Sequence, residues 1–348
     1  MNKDELYDLT IVGGGPAGLF SAFYSGLRGM KTKIIEYQQF LGGKVNVYPE
    51  KMIWDVGGLT PVSGAQLIKQ MEEQALTFYP TTVLGNKVTS ISKREDGVFV
   101  LKTDSGEAHY SKTVILAVGG GILKPTKLEI EGAERFEITN LQYTVKSLAK
   151  FKGKTVLISG GGNTAIDWAN ELEPIAKKVY LTYRNDMLQG HEAQVSKLLD
   201  SSVECLLNTS IHKLLASSNQ ERIEKVKLKA QDQQLEISVD EVIINHGFER
   251  DRELIENSGV KVEMENEFKI AGSPMSETSV SGLYAAGDIL QHEGKLGLIA
   301  GAFQDAANAV NRAKQYLDPE ANNKGRVSSH NDIFKERNRE LIKDLYTS

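Results

Sequence analysis

Cysteine is nearly absent: Cys205 is the only one in 348 residues. A single thiol excludes an intramolecular disulfide, a Cys-x-x-Cys redox pair and a thiolate metal cluster. Cys205 follows an acidic residue inside an apolar run, SVECLLN, the setting of a packed strand residue and not of a nucleophile. Positive charge is short as well. Lys and Arg number 41 against 46 Asp and Glu, a net charge of −5, which argues against the clustered basic surface that non-specific nucleic-acid binding needs. Long uncharged runs are missing but for residues 9–27, whose 19 positions approach the length of a membrane span. That run carries Gly13, Gly14, Gly15, Pro16, Gly18 and Gly26, so it reads as strand, turn and helix. The charged opening MNKDELYD lacks a signal-peptide plan, and the expectation is a cytoplasmic protein with no membrane anchor. Ser-His-Asp, zinc-ligand and paired-carboxylate patterns do not stand out, and no metal is expected. Apolar content of 40% and charged content of 25% are those of a globular chain. The length predicts about two domains.

What is present is organised around residues 9–36, LTIVGGGPAGLFSAFYSGLRGMKTKIIE. An apolar strand leads into Gly13, Gly15 and Gly18, spaced G-x-G-x-x-G, then a helix and a second strand ending in Glu36. Each residue type has a mechanical task at that spacing. Gly13 permits the sharp turn, Gly15 lets the backbone approach a pyrophosphate, Gly18 lets the helix pack on the strand, and Glu36 accepts from a ribose diol. The helix N-terminus adds free N–H groups and a positive dipole for phosphates.

Farther along, residues 40–58 form a glycine- and aromatic-rich loop suited to wrapping a ligand, and residues 64–78 have helical spacing. Short alternating segments up to residue 118 predict a hairpin followed by a buried strand. Residues 119–125 (GGGILKP) are the first candidate hinge. Residues 155–171, TVLISGGGNTAIDWANE, then repeat the opening plan with Gly160, Gly162 and Ala165, starting 147 residues after Gly13. Arg184 follows the strand at 179–183, where the first unit has Glu36. GLYAAGDI (282–289) is a buried strand ending in Gly287–Asp288, and residues 296–316 are a helix expected to turn Ala300, Phe303, Ala307, Val310 and Tyr316 inward.

The predicted architecture is α/β, with two Rossmann-like three-layer dinucleotide-binding domains, the first discontinuous. Residues 1–119 plus 283–348 make the first, including a tail at 319–348, and residues 120–282 make the second. A carboxylate suits the free ribose diol of FAD, and a cation suits a 2′-phosphate, so the pair of sites implies FAD in the first domain and NADPH in the second. Asp288 is expected to reach the flavin's ribityl or pyrophosphate. Hydride transfer to a flavin needs no acid–base residue, because the cofactors carry the chemistry.

The ordered set GGGPAG, Glu36, LGGK with VYPEK, ILAVG, SGGGNTAIDW, GLYAAGD, KLGLIAGAF and VSSHN resembles the ferredoxin–NADP reductases of the thioredoxin-reductase-like type, over essentially the whole chain. The resemblance implies FAD contacts at Gly13, Gly15, Pro16, Ala17, Gly18, Glu36, Lys44, Tyr48, Val88, Leu123, Asp288 and Ser329. It implies NADP contacts at Gly160, Gly162, Asn163, Thr164, Ala165 and Arg184. Tyr48 and His330 would stack on opposite faces of the isoalloxazine. It also implies a homodimer, with ferredoxin or flavodoxin taking electrons singly. Bringing nicotinamide and flavin within reacting distance predicts a hinge motion about the two crossovers near 119–124 and 282. Three departures stand out. Where the family commonly reads H-R-R-D-x-F-R-A-H-E, this chain has Asn185 and Gln189 in place of two arginines, which weakens discrimination of NADPH from NADH. Lys44 stands where glutamine is usual. Thioredoxin reductase itself has a Cys-x-x-Cys ahead of its second fingerprint, and residues 140–154 here contain no cysteine. The rival readings are an NAD(P)H oxidase or quinone-type reductase, and a redox-sensing flavoprotein.

Overall fold

A computed structural model of the chain describes residues 5–121, 123–230, 233–325 and 331–347. The chain divides into two compact units: Met1–Asn46, Met52–Ile122 and Arg250–Ser348 form the first, and Val47–Lys51 with Leu123–Glu249 form the second.

In the first unit β1 (Leu6–Val12) and β2 (Thr32–Glu36) pair in parallel, and β1 pairs in parallel with Ala108–Leu116 on its other side. The strand Thr81–Leu84 extends the sheet beyond β2. Val88–Lys93, Phe99–Thr103 and Ala108–Leu116 run as an antiparallel meander, the last being one strand of nine residues. Leu283–Ala285 returns to pair in parallel with the end of Ala108–Leu116, giving seven strands. Helix α1 (Pro16–Leu27) joins β1 to β2, and α2 (Gly64–Ala75) packs on α1. Ser63 caps α2 by accepting from Gln66 N–H, and the expected helix to 78 ends at Ala75, continuing as a tighter turn over Leu76–Phe78.

The second unit holds a five-stranded parallel sheet ordered Leu141–Gln142, Glu241–Ile244, Thr155–Ser159, Lys178–Thr182, Glu204–Leu206. Alternation sorts its two faces. Val156 and Ile158 face a core with α3 (Asn163–Leu172) and α4 (Glu192–Leu199), and Leu157 faces the small antiparallel sheet of Thr209–Ala216, Ile223–Ala230 and Gln233–Ser238. Cys205 is half-buried on an edge strand, and burial pushes its thiol above the ordinary value.

The division departs from the expected crossover at 282. Residues 250–282, including the short α5 (Glu253–Asn257) and the Gly272–Pro274 turn, belong to the first unit. Leu254, Ile255, Val260, Val262 and Ile270 pack with Ile91, Phe99 and Leu101, and Ser258 Oγ accepts from Ile91 N–H at 2.9 Å.

Helix α6 (Ile299–Leu317) forms as expected but is turned. Its buried face runs through Gly301, Ala302, Asp305, Ala306, Ala309, Val310, Asn311 and Ala313. Of the residues expected inside only Val310 is on that face, and Tyr316 is 42% exposed. Small side chains let α6 lie close against α1, with Phe303 at the edge meeting Phe20 at 5.0 Å between ring centres. In α7 (Lys335–Thr347) and the turn before it, Phe334 meets Phe23 and Phe78, and Arg337 donates to the Thr77 carbonyl at 2.9 Å, so this part of the tail docks on its own first unit. Among the described residues no helix is long and apolar enough to cross a membrane, and no cluster of His, Cys, Asp and Glu could hold a metal ion.

Candidate functional site

The first crevice opens at the C-terminal end of β1, where open α/β sheets bind ligands. Gly13 has φ +107°, and a Cβ there would overlap the Ala117 carbonyl oxygen. A Cβ on Gly18 would overlap the Gly13 carbonyl oxygen, so this glycine sets the closeness of helix and turn. Gly15 differs: a Cβ would meet only Gly43 Cα, at an ordinary 3.7 Å. Packing does not require glycine at 15, whereas a ligand approaching the backbone does. Pro16 occupies the first helical turn, where its missing N–H costs nothing, and Gly15 provides no side-chain cap. The N–H groups of that turn are therefore left for an anion.

Glu36 ends β2 and is buried. Its Oε2 accepts from Gly14 N–H at 2.6 Å and its Oε1 from Gln38 N–H at 2.8 Å. A carboxylate has about four acceptor sites, so about two remain for a ribose diol. Asn86 N–H donates to the Glu36 carbonyl at 3.1 Å, which brings the segment leading into buried Val88 beside this end. Gly43 lies over Gly15, and Lys44 follows it, exposed. Gly287 abuts Ala17 in the first turn of α1, with a Cβ there falling 3.0 Å from the Ala17 Cβ, and the exposed Asp288 is the next residue. An open backbone at Gly15, uncapped N–H groups and acceptor capacity at Glu36 fit the adenosine diphosphate half of FAD.

The second crevice repeats the plan. A Cβ on Gly160 would lie 2.5 Å from the Asn245 carbonyl oxygen, one on Gly161 would overlap the Tyr183 ring, and Gly162 has open space. Helix α3 starts at Asn163 without a side-chain cap, Thr164 is exposed, and Ala165 is fully buried in the place of Gly18. Arg184 is exposed just beyond Lys178–Thr182. Gln189 N–H donates to the Gly161 carbonyl at 2.7 Å, so the position that carries an arginine in the family pattern lies beside the glycine loop. Asn163 Oδ1 accepts from His191 N–H at 2.8 Å, fastening the same loop.

Tyr48 belongs to the second unit, half-buried against the core of α3. Its segment is anchored there by Lys51 on Asp167 at 2.7 Å and by Leu148 N–H on the Glu50 carboxylate at 2.6 Å. Leu123 opens a short strand counted with the same unit. Ser329 and His330 lie outside the described residues. Sequence reasoning missed two groups. At the end of the second sheet His246 Nε2 lies 2.8 Å from Ser159 Oγ, and burial, then the charge of Arg184, holds its imidazole below the ordinary value. Beneath Asp288, Asp305 is buried with Lys295 and His292. A lone carboxylate on a run of alanines was the only signal for it.

Two glycine turns of one plan, the first facing the buried Glu36 carboxylate and the second beside the exposed Arg184, are the framework of an oxidoreductase that uses two dinucleotides. The family described as pyridine nucleotide-disulphide oxidoreductase matches residues 7–313. The chain is 65% identical to ferredoxin–NADP reductase 1 of Bacillus mycoides over 347 residues, 99% of each chain. It is 63% identical to ferredoxin–NADP reductase 2 of Exiguobacterium sibiricum, again over 99% of each. Among solved structures, thioredoxin reductase from T. acidophilum aligns with a TM-score of 0.74 at 25% identity, covering 91% of this chain and 100% of the other. The Lactococcus lactis thioredoxin reductase aligns at 0.73 and 23%, covering 89% and 99%. The chain belongs to the pyridine nucleotide-disulphide oxidoreductase family, among its ferredoxin–NADP reductases. The disulfide chemistry in the family's name has no cysteine pair here.

Proposed function

We propose that the chain is an FAD-dependent ferredoxin–NADP reductase, taking a hydride from NADPH and passing electrons singly to ferredoxin or flavodoxin. The observation that carries this reading is the contrast between Glu36 and Arg184 at equivalent ends of two like crevices. FAD held in the first crevice supplies the conversion of a two-electron donor into one-electron steps. The protein's own part is binding and orientation. The first turn of α1 and Gly15 take the pyrophosphate, Glu36 the adenosine ribose, Val88 the neighbouring backbone contact, and Asp288 the ribityl side. Lys44 adds a cation near the flavin. Gly160, Gly162, Asn163, Thr164 and Ala165 seat the NADPH pyrophosphate, and Arg184 pairs with its 2′-phosphate. Tyr48 and His330 are assigned to flavin stacking, Leu123 and Ser329 to further flavin contacts. A cytoplasmic homodimer is the assembly that goes with this reading.

The relatives at 63–65% identity bear the ferredoxin–NADP reductase name, and neither an oxidase nor a sensor is favoured. Anaerobic cytochrome c reduction with NADPH, with and without ferredoxin, tests the proposal. Strong stimulation by ferredoxin supports it, and flavin reduction without stimulation overturns the choice of acceptor. In the same assay Asn185→Arg is expected to raise the NADPH/NADH ratio of kcat/KM about tenfold, the worth of one charge-assisted phosphate contact. An unchanged ratio would remove the 2′-phosphate from this loop.

A further inference from the structure

Asp305 is the charged residue on a buried face of α6 made otherwise of glycine, alanine, valine and one asparagine, and it is 4% exposed. Burying a charge there is costly unless it is paired and hydrogen-bonded, and an alanine would continue the face without that cost. Its contacts are specific. Oδ2 accepts from Gly287 N–H at 3.0 Å and from the Lys295 ammonium, and Oδ1 lies 3.4 Å from His292 Nε2. The Lys295 side chain, buried to the same degree, also donates to the Gly287 carbonyl at 2.9 Å. One buried ion pair therefore holds both the N–H and the C=O of a single residue. Ser276 Oγ donates to the Asp305 carbonyl at 2.9 Å, tying α6 at that level to the strand's approach.

Gly287 has φ +80°, a backbone conformation other residues avoid, and its closeness to Ala17 sets the height of the next residue, Asp288, over α1. We propose that Asp305 is the positioning residue of the flavin site. Acting through Lys295 and the Gly287 peptide, it fixes Asp288 against the first turn of α1 without touching the cofactor. The inference rests on the reading that FAD occupies this crevice.

The test uses the holoprotein, following FAD release on dilution by flavin fluorescence and the fold by far-ultraviolet circular dichroism on the same sample. Asp305→Asn is expected to speed release about tenfold or more while the dichroism stays unchanged, since hydrogen bonds to charged groups carry roughly that much. Val310→Ala, a cavity on the same buried face, is expected to leave release unchanged. The paired variant Asp305→Asn with Lys295→Gln leaves no unpaired buried cation, so its melting temperature should stand above that of Asp305→Asn while FAD release stays fast. This paired variant carries the test alone if Asp305→Asn does not fold. Wild-type release in the paired variant, or equally fast release from Val310→Ala, would reduce Asp305 to a structural role and overturn the proposal. A wild-type protein that binds no FAD would overturn the site reading itself.

Discussion

Gly18→Ala is expected to give a protein without bound FAD and with a first unit destabilised by about 3 kcal/mol or more. The substitution sets two effects against each other. Alanine inside a helix is better than glycine by about 1 kcal/mol, since it loses less conformational freedom on folding. Its Cβ, however, would overlap the Gly13 carbonyl oxygen, which is backbone and cannot swing aside. Relieving the overlap lifts α1 off the turn, and with it the N–H groups that face the crevice. The overlap wins. Gly15→Ala is the informative partner, because its Cβ meets only Gly43 Cα at 3.7 Å and its backbone has an ordinary φ of −77°. The apoprotein should melt like wild type and FAD affinity should fall about 100-fold, from a methyl group standing where the pyrophosphate approaches. Visible absorbance of the purified proteins and thermal melts after flavin removal separate the cases. A yellow, normally melting Gly18→Ala would refute the packing role, and an undiminished FAD affinity on titration of Gly15→Ala would refute the ligand approach.

Removing the Glu36 carboxylate should have an effect of similar size, and for a different reason. Glu36→Ala strands the Gly14 and Gln38 N–H groups, which now donate to it at 2.6 and 2.8 Å. Hydrogen bonds to a charged acceptor contribute about 1.5–3 kcal/mol each, so the loop itself loosens before any ribose contact is counted. FAD affinity is expected to fall about 100-fold or more. Glu36→Gln should lie between, because an amide offers one acceptor and places an NH2 group against a second donor. FAD titration of each variant beside urea unfolding measures both consequences. Undiminished affinity in Glu36→Ala would show that the acid serves the loop alone.

The glycines and Glu36 were legible in the sequence because their reasons are local: a strand, a turn and a helix within thirty residues fix where each must stand. The second fingerprint was legible for the same reason. Residues 250–282 were not, because nothing in the run from Leu254 to Val262 says which sheet it will cover. The face of α6 differs from the expected set of Ala300, Phe303, Ala307, Val310 and Tyr316 because a helical period that takes in Phe303 and Tyr316 is turned from the one that lets small residues lie against α1. Asp305 was invisible on the same grounds, since a carboxylate in a helix reads as solvent-facing until its partners at 287 and 295 arrive from elsewhere in the chain. Tyr48 shows the converse: its motif was read, yet the unit it packs in was set by Glu50 and Lys51 gripping residues about a hundred positions away.

The half-buried Cys205, with its thiol pushed upward, also makes the chain a ready template for labelling. At neutral pH a thiol-selective dye needs thiolate, and this residue supplies little of it. A cysteine introduced at an exposed site such as Ile138 would therefore take nearly all of the label without any prior removal of native thiols. The local environment and mobility at the labelled site then become accessible to fluorescence and spin probes from a single substitution.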